Sequence, residues 1–119
     1  MSMMRVFQKA AVTAMKVAGD ITKPAVYLGT SDDGFGNVEK LEKPCRIIYD
    51  KFTDEELAQY GWQSLIQVKD KKGLVPTLSI AVPIKAQKKI RGHDGTVYTI
   101  VAKEIDAADA LYILLLRKV

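Results

Sequence analysis

Pro76-Thr77-Leu78-Ser79-Ile80-Ala81-Val82 opens the stretch that decides the fold, and Ala110-Leu111-Tyr112-Ile113-Leu114-Leu115-Leu116-Arg117-Lys118-Val119 closes it. Successive side chains of a strand point to opposite faces, so residues 77–82 read as a strand with Leu78, Ile80 and Val82 on one side. A basic approach, Lys85-Ala86-Gln87-Lys88-Lys89-Ile90-Arg91, leads into Gly92-His93-Asp94-Gly95, whose glycines and aspartate accept the positive φ of a tight hairpin. Thr96-Val97-Tyr98-Thr99-Ile100-Val101 is β-branched and aromatic, as a pleated surface favours, and Ile105-Asp106-Ala107-Ala108-Asp109 supplies a second turn. The closing run is apolar at consecutive positions, which suits a strand covered on both faces. It falls short of the roughly 20 apolar residues that a bilayer-spanning helix requires. Strands and turns without a catalytic constellation point to a protein that acts by being bound.

Working outward, Ala25-Val26-Tyr27-Leu28-Gly29 and Cys45-Arg46-Ile47-Ile48-Tyr49 read as two strands of a long hairpin. Between them Thr30-Ser31-Asp32-Asp33-Gly34-Phe35-Gly36-Asn37 reads as a polar loop, lacking calcium-loop spacing and too short for a dinucleotide fingerprint. In Phe52-Thr53-Asp54-Glu55-Glu56-Leu57, Thr53 is an N-cap with Glu56 as its capping-box partner, and Phe52 is placed to staple on Leu57. A helix to about Tyr60, stopped by Gly61, follows. Residues 62–76 fit either a strand or a loop that orders on binding. Near the start, Phe7, Ala10, Ala11, Ala14, Val17 and Ala18 recur at spacings of three and four, predicting a helix capped by Gly19. The expected fold is therefore mainly β: one domain over 1–119, a small barrel or sandwich with an N-terminal helix and linker (1–24). Its long flexible loops would be 30–37 and 52–75.

Composition narrows the function classes. The 119 residues are 48% hydrophobic and 27% charged, enough for one modest core. One cysteine forbids an intrachain disulfide, and with one histidine it leaves no ligand set for a metal; no cofactor is expected. Gln8, Lys9 and Lys16 interrupt the apolar stretch that a secretory signal requires, so synthesis in a reducing cytoplasm is expected. The net charge of +4 is compatible with nucleic acid or an acidic protein surface as neighbour. His93 sits between turn glycines, Cys45 opens a strand as an inert thiol, and Asp54, Glu55 and Glu56 are explained by the helix dipole. An enzyme is thus not expected. Lys85, Lys88, Lys89 and Arg91 form either a contact patch or a solvated hairpin. Leu57, Tyr60 and Trp62 serve either as an interface anchor or as core, and Asp32, Asp33 and Phe35 lie in the first loop.

The order of helix, strand, Gly-rich loop at 30–37, irregular middle and closing β block resembles the head-tail joining proteins of tailed bacteriophages, also called head closure or head-tail adaptor proteins. The likeness is carried by Thr77-Leu78-Ser79-Ile80, by Ile90-Arg91-Gly92-His93-Asp94-Gly95-Thr96-Val97-Tyr98-Thr99-Ile100-Val101, and by the strand ending Leu114-Leu115-Leu116-Arg117. It covers roughly residues 25–119, and residues 52–75 depart from it most. The resemblance implies a virion protein made in the bacterial cytoplasm as a soluble monomer and assembled as a ring in the phage neck. Its partners would be the portal or connector ring on the head side, and a tail terminator or tail tube protein on the other. The basic hairpin would face an acidic partner or DNA in the channel, with no membrane involved. The competing readings are a small basic nucleic-acid-binding barrel and another tail-completion component.

Overall fold

The computed structural model describes residues 22–32 and 34–119. In chain order these form β1 (Lys23–Asp32), β2 (Val38–Asp50), α1 (Asp54–Tyr60), β3 (Lys71–Pro76), a 3-10 turn (Thr77–Ser79), β4 (Lys89–Gly92), β5 (Val97–Ile105) and β6 (Leu111–Lys118). The strands close into an antiparallel barrel in the order β1-β2-β3-β6-β5-β4, with β4 returning to β1. Closure pairs every strand on both sides along part of its length, though β2 meets β3 only at Ile48–Asp50.

Alternation fills the interior. Tyr27, Ile47, Val75, Ile90, Ile100, Leu114 and Leu116 all belong to one buried cluster, and Tyr49 packs against it from one end. At Gly73 side chains from both neighbouring strands crowd over the β3 backbone: a Cβ there would lie 2.7 Å from Leu116 Cδ1 of β6 and 3.1 Å from Ile47 Cδ1 of β2. Glycine is what lets these aliphatic side chains fill the centre.

Strand β6 is buried on both faces, as its unbroken apolar run predicts. Tyr112, Leu114 and Leu116 point into the barrel, while Ile113 and Leu115 point outward into a second cluster with Leu57 and Trp62. The cover is the flap formed by residues 51–70, which starts at the end of β2 and folds back over β3 and β6 before entering β3. Helix α1 begins as expected: Thr53 Oγ1 accepts from Glu56 N–H, the Glu56 carboxylate accepts from Thr53 N–H at 3.1 Å, and Gly61 ends the helix at φ 72°. Phe52 meets Trp62 edge-on at 5.6 Å, and Tyr60 lies 5.0 Å from the same indole. A seven-residue helix is marginal alone, so this aromatic packing rather than helix propensity holds it.

Several expected boundaries move. Residues 77–82 are not a strand: they hold the 3-10 turn and the start of a crossing over one mouth of the barrel. Their alternation has another use, because Ile80 and Ile84 insert into the core from the mouth while Leu78 stays 40% exposed. Such a crossing is needed because β3 and β4 are not neighbours in the barrel. Ser79 Oγ, which accepts from Arg46 N–H at 3.3 Å, and Tyr27 Oη, which accepts from Lys85 N–H at 3.1 Å, pin it down. The strand lies earlier, at Lys71–Pro76, so of the two readings for residues 62–76 the strand holds there, and the expected loop 52–75 is shortened at that end. Its Lys72 pairs with Glu56 of α1 instead of turning to water. The hairpin strands are longer than expected: residues 30–32, expected as loop, belong to β1, and of the expected loop 30–37 the described residues outside the strands are 34–37. The helix expected over 4–18 lies outside the described residues, and Lys23 and Pro24, expected as linker, belong to β1.

Both late turns form where expected. In the first, Gly92 N–H donates to Thr96 O at 2.8 Å and Gly95 takes φ 86°. In the second, Asp106 Oδ1 accepts from Ala110 N–H at 2.7 Å and Asp109 takes φ 52°.

Candidate docking surfaces

The first surface follows from a mismatch of strand lengths. Pairing of β1 with β4 stops at Leu28↔Lys89, but pairing with β2 continues from Gly29↔Leu41 to Asp32↔Val38. A two-stranded arm therefore projects beyond the wall. Near its tip Phe35 is 89% and Val38 61% exposed. At its root the Tyr27 ring lies over Gly29, where a Cβ would come within 2.7 Å of the ring. The same hydroxyl holds the crossing segment, so the root is fixed to the barrel mouth.

Between the arm and the end of β4 lies a cleft of about 470 Å3, lined on its charged side by Lys40, Glu42, Lys88 and Lys89. Gln87 shapes its floor in the left-handed region at φ 69°, which is unfavourable for a residue with a Cβ. Two bonds hold it there: its N–H donates to Ile100 O at 2.7 Å, and its side-chain amide donates to Val101 O at 3.1 Å. Val101 is the extra residue of a β-bulge between Ile100 and Ala102, so irregularities on two adjoining segments meet at this point. The result aims Lys88 at the arm, where its Nζ donates to Thr30 Oγ1 at 2.9 Å.

The basic patch is thus only partly brought together. Lys88 and Lys89 line the cleft, Arg91 sits further along β4 at 3.8 Å from Glu42, and Lys85 is exposed on the crossing segment. Both members of the Arg91–Glu42 pair are well exposed, so the contact adds little stability. Lys40 is the residue the sequence reading missed. It reaches the cleft through the pairing Thr30↔Lys40, in a part of β2 whose polar sequence gave no strand signal.

The second surface lies on the flap. Leu57 and Trp62 are buried in the second cluster, and half-buried Tyr60 packs against it. The open part is a groove beside them, with Lys51, Phe52, Ile66 and Val68 along one stretch, continuing past Tyr49, Lys69 and Lys71. Val68 projects fully into solvent, and Lys71 Nζ stands 5.5 Å from the centre of the Tyr49 ring.

Ion pairs fasten the flap to the wall. Arg117 grips Asp70 with two bonds, Nε to Oδ1 at 3.1 Å and Nη2 to Oδ2 at 2.8 Å, and also donates to Leu65 O. Burial pushes the Asp70 carboxyl up, but the Arg117 guanidinium and the Gln67 N–H outweigh it and hold the group below its ordinary value. Glu56 is likewise lowered, chiefly by its bond to Lys72.

The remaining candidates are simpler. Cys45 lies inside β2 rather than at its start; burial pushes its thiol up to about 11, in keeping with an inert group. His93 is exposed in its turn, and Asp54 and Glu55 are exposed in the first turn of α1. Asp33 lies outside the described residues; Asp32 ends β1. Among the described residues no three His, Cys, Asp or Glu side chains group as metal ligands, and no helix is long and apolar enough to cross a membrane.

No protein-family model matches this chain, and no curated protein or solved structure matches it either. Function is therefore read from the fold and its surfaces.

Proposed function

We propose that this chain is a structural protein of the tailed-phage neck, one that assembles as a ring joining the portal or connector of the DNA-filled head to the tail. The observation that supports it best is the pairing of a closed, stapled barrel with a rigidly rooted arm that carries exposed apolar residues at its tip. The closed part of the wall offers little for strand addition, so association with other subunits is read to fall to the arm, whose strands are paired on one side only, and to the surface grooves. A ring component needs this division between a core that keeps its shape and elements that reach a neighbour. No covalent chemistry is assigned to the chain, and its place of action would be the virion neck.

Disrupting the gene in its phage or prophage and imaging the lysate by electron microscopy tests the reading. Separate filled heads and free tails, rejoined when purified protein is added, are expected; intact infectious particles would overturn it. A second reading, a small nucleic-acid-binding barrel, draws on the lysines of the arm cleft, Lys40, Lys88 and Lys89. It expects retention of DNA that weakens steeply as salt rises, through counterion release.

A further inference from the structure

Among the described residues, the two strands of the arm pair only with each other, and β2 meets a second strand only at Ile48–Asp50. The edge of β2 from Val38 to Arg46 therefore has no strand beside it. Two observations fix which residues turn their backbone to that edge. Arg46 N–H donates to Ser79 Oγ, away from β1, and along a strand in unbroken register the backbone direction alternates. Pro24 and Pro44, which have no N–H, fall in the rungs Pro24↔Arg46 and Val26↔Pro44, and such rungs cannot exchange two bonds. Val38, Lys40, Glu42 and Pro44 thus aim their backbone outward, and all four are exposed. Pro44 is tolerated inside a 13-residue strand because it lies on an edge.

The same stretch carries a charge pattern that the hairpin itself does not use. Glu39, Lys40, Glu42 and Lys43 flank Leu41, and opposite them on β1 stand Ser31, Thr30, Leu28 and Tyr27, none of them charged. Of the four, only Glu42 forms an ion pair among the described residues, an exposed one with Arg91 at 3.8 Å. Read outward from Leu41, the signs are reversed in the two directions: Lys40 then Glu39 one way, Glu42 then Lys43 the other. A second copy laid antiparallel, with Leu41 against Leu41, sets Glu39 against Lys43 and Lys40 against Glu42 on both sides of the axis. This register also keeps outward residues opposite outward residues, as an antiparallel ladder requires. The neighbouring registers that do so put Lys40 against Lys40 or Glu42 against Glu42, and like charges directly opposite each other destabilise a strand pair.

We infer that the open edge of β2 pairs with the same edge of a second copy, antiparallel about a two-fold axis at Leu41. The occupant is a second copy because the pattern is complementary to itself in that one register. Charges and proline on an edge ordinarily guard it against pairing, and lysines alone would repel a second copy in every register. Alternating signs repel the wrong registers and admit one. About six backbone hydrogen bonds join the two strands, since Pro44 offers a carbonyl opposite Val38 but no N–H. So small a contact is weak and forms at high concentration. An isologous pair closes at two copies, so this contact is distinct from a ring contact and does not rest on the neck reading.

The test uses the purified chain at millimolar concentration. Under mild oxidation Leu41→Cys should form a disulfide-linked dimer, because Cα atoms in a directly opposed, non-bonded rung lie about 4.5 Å apart, within disulfide reach. Cys45 is buried, so the introduced thiols react. Glu39→Cys and Lys43→Cys, mixed, should give the 39-to-43 dimer in excess over both homodimers, whose thiols are out of register. In a parallel series without new cysteines, Lys40→Glu and Glu42→Lys should each weaken self-association about fivefold by sedimentation, and the double change, which keeps the net charge, should restore it. Statistical yields in the mixture, dominance of the 39-to-39 dimer, or a double change no better than either single one overturns the inference. A parent that stays monomeric does so too, and slow amide exchange at Lys40 and Glu42 in that monomer would give the edge to the chain's own residues 1–21. Register-specific dimers alongside intact virions in the gene disruption would keep this contact and remove only the neck reading.

Discussion

Strand β6 and the arm are both antiparallel β-structure, yet β6 is covered on both faces and the outer arm carries exposed residues at its tip and along β2. The two strands of the arm bond mainly to each other, whereas β6 is held by β3 and β5 at its sides, by the barrel interior beneath and by the flap above. On the reading proposed above, stability and contact with partners fall to separate parts of one sheet. Changes in β6 should be felt as unfolding, and changes at the arm tip as lost association.

The sharpest way to break this contrast is at Leu115, fully buried beneath the flap. Leu115→Ala should cost about 2–5 kcal/mol, measured as a shift of the urea midpoint, because the flap and β6 cannot both collapse into the space. A loss no larger than that of a surface change would show that the flap is not part of the folded core.

A smaller effect is expected at the flap latch. Asp70→Asn should cost about 1–3 kcal/mol, less than the loss of a fully buried pair, since Arg117 is partly exposed and can turn to water. The pH dependence has a definite sign. The carboxyl of Asp70 lies below its ordinary 3.8 in the folded chain, so its stabilising effect is complete above that value. It is lost as pH falls through the lowered folded value. Unfolding midpoints measured from pH 6 downward should therefore drop more in the parent than in Asp70→Asn, and parallel curves would remove Asp70 from the acid response.

The smallest effect on stability belongs to the arm. Phe35→Ser should leave the urea midpoint within about 0.5 kcal/mol of the parent, as exposed positions usually do, while on the proposed reading head-tail joining in a complementation assay is lost. A strongly destabilised variant would place Phe35 in the protein's own packing.

Legibility in the sequence followed the range of the interactions. Thr53 and Glu56 satisfy each other three residues apart, and Gly61, Gly95 and Asp109 meet local backbone demands, so α1 and both late turns could be located from neighbours alone. The double burial of β6 was also legible, because a strand with no polar face has no side to give to water. Strand β3 was not. Lys71-Lys72-Gly73 looks like a turn until Leu116 is seen to need the space at Gly73 and Glu56 to need Lys72. The alternation at Leu78, Ile80 and Val82 mimicked a strand because a segment crossing a barrel mouth also sends apolar residues inward. At the candidate surfaces, Lys88 and Lys89 were legible as a basic run and Phe35 as a loop residue. Lys40 and the flap groove were not.

The sequence by itself determined a mainly β chain with one short capped helix, two tight turns and a closing strand buried on both sides, since each rests on hydrogen bonds or apolar runs between near neighbours. Only the tertiary structure decided that β4 closes on β1, that β1 and β2 outrun that closure as an arm, and that the flap is sealed by Arg117 and Asp70. Those features depend on strand pairing and ion pairs between residues 47 to 67 positions apart, where the local pattern of side chains carries no register.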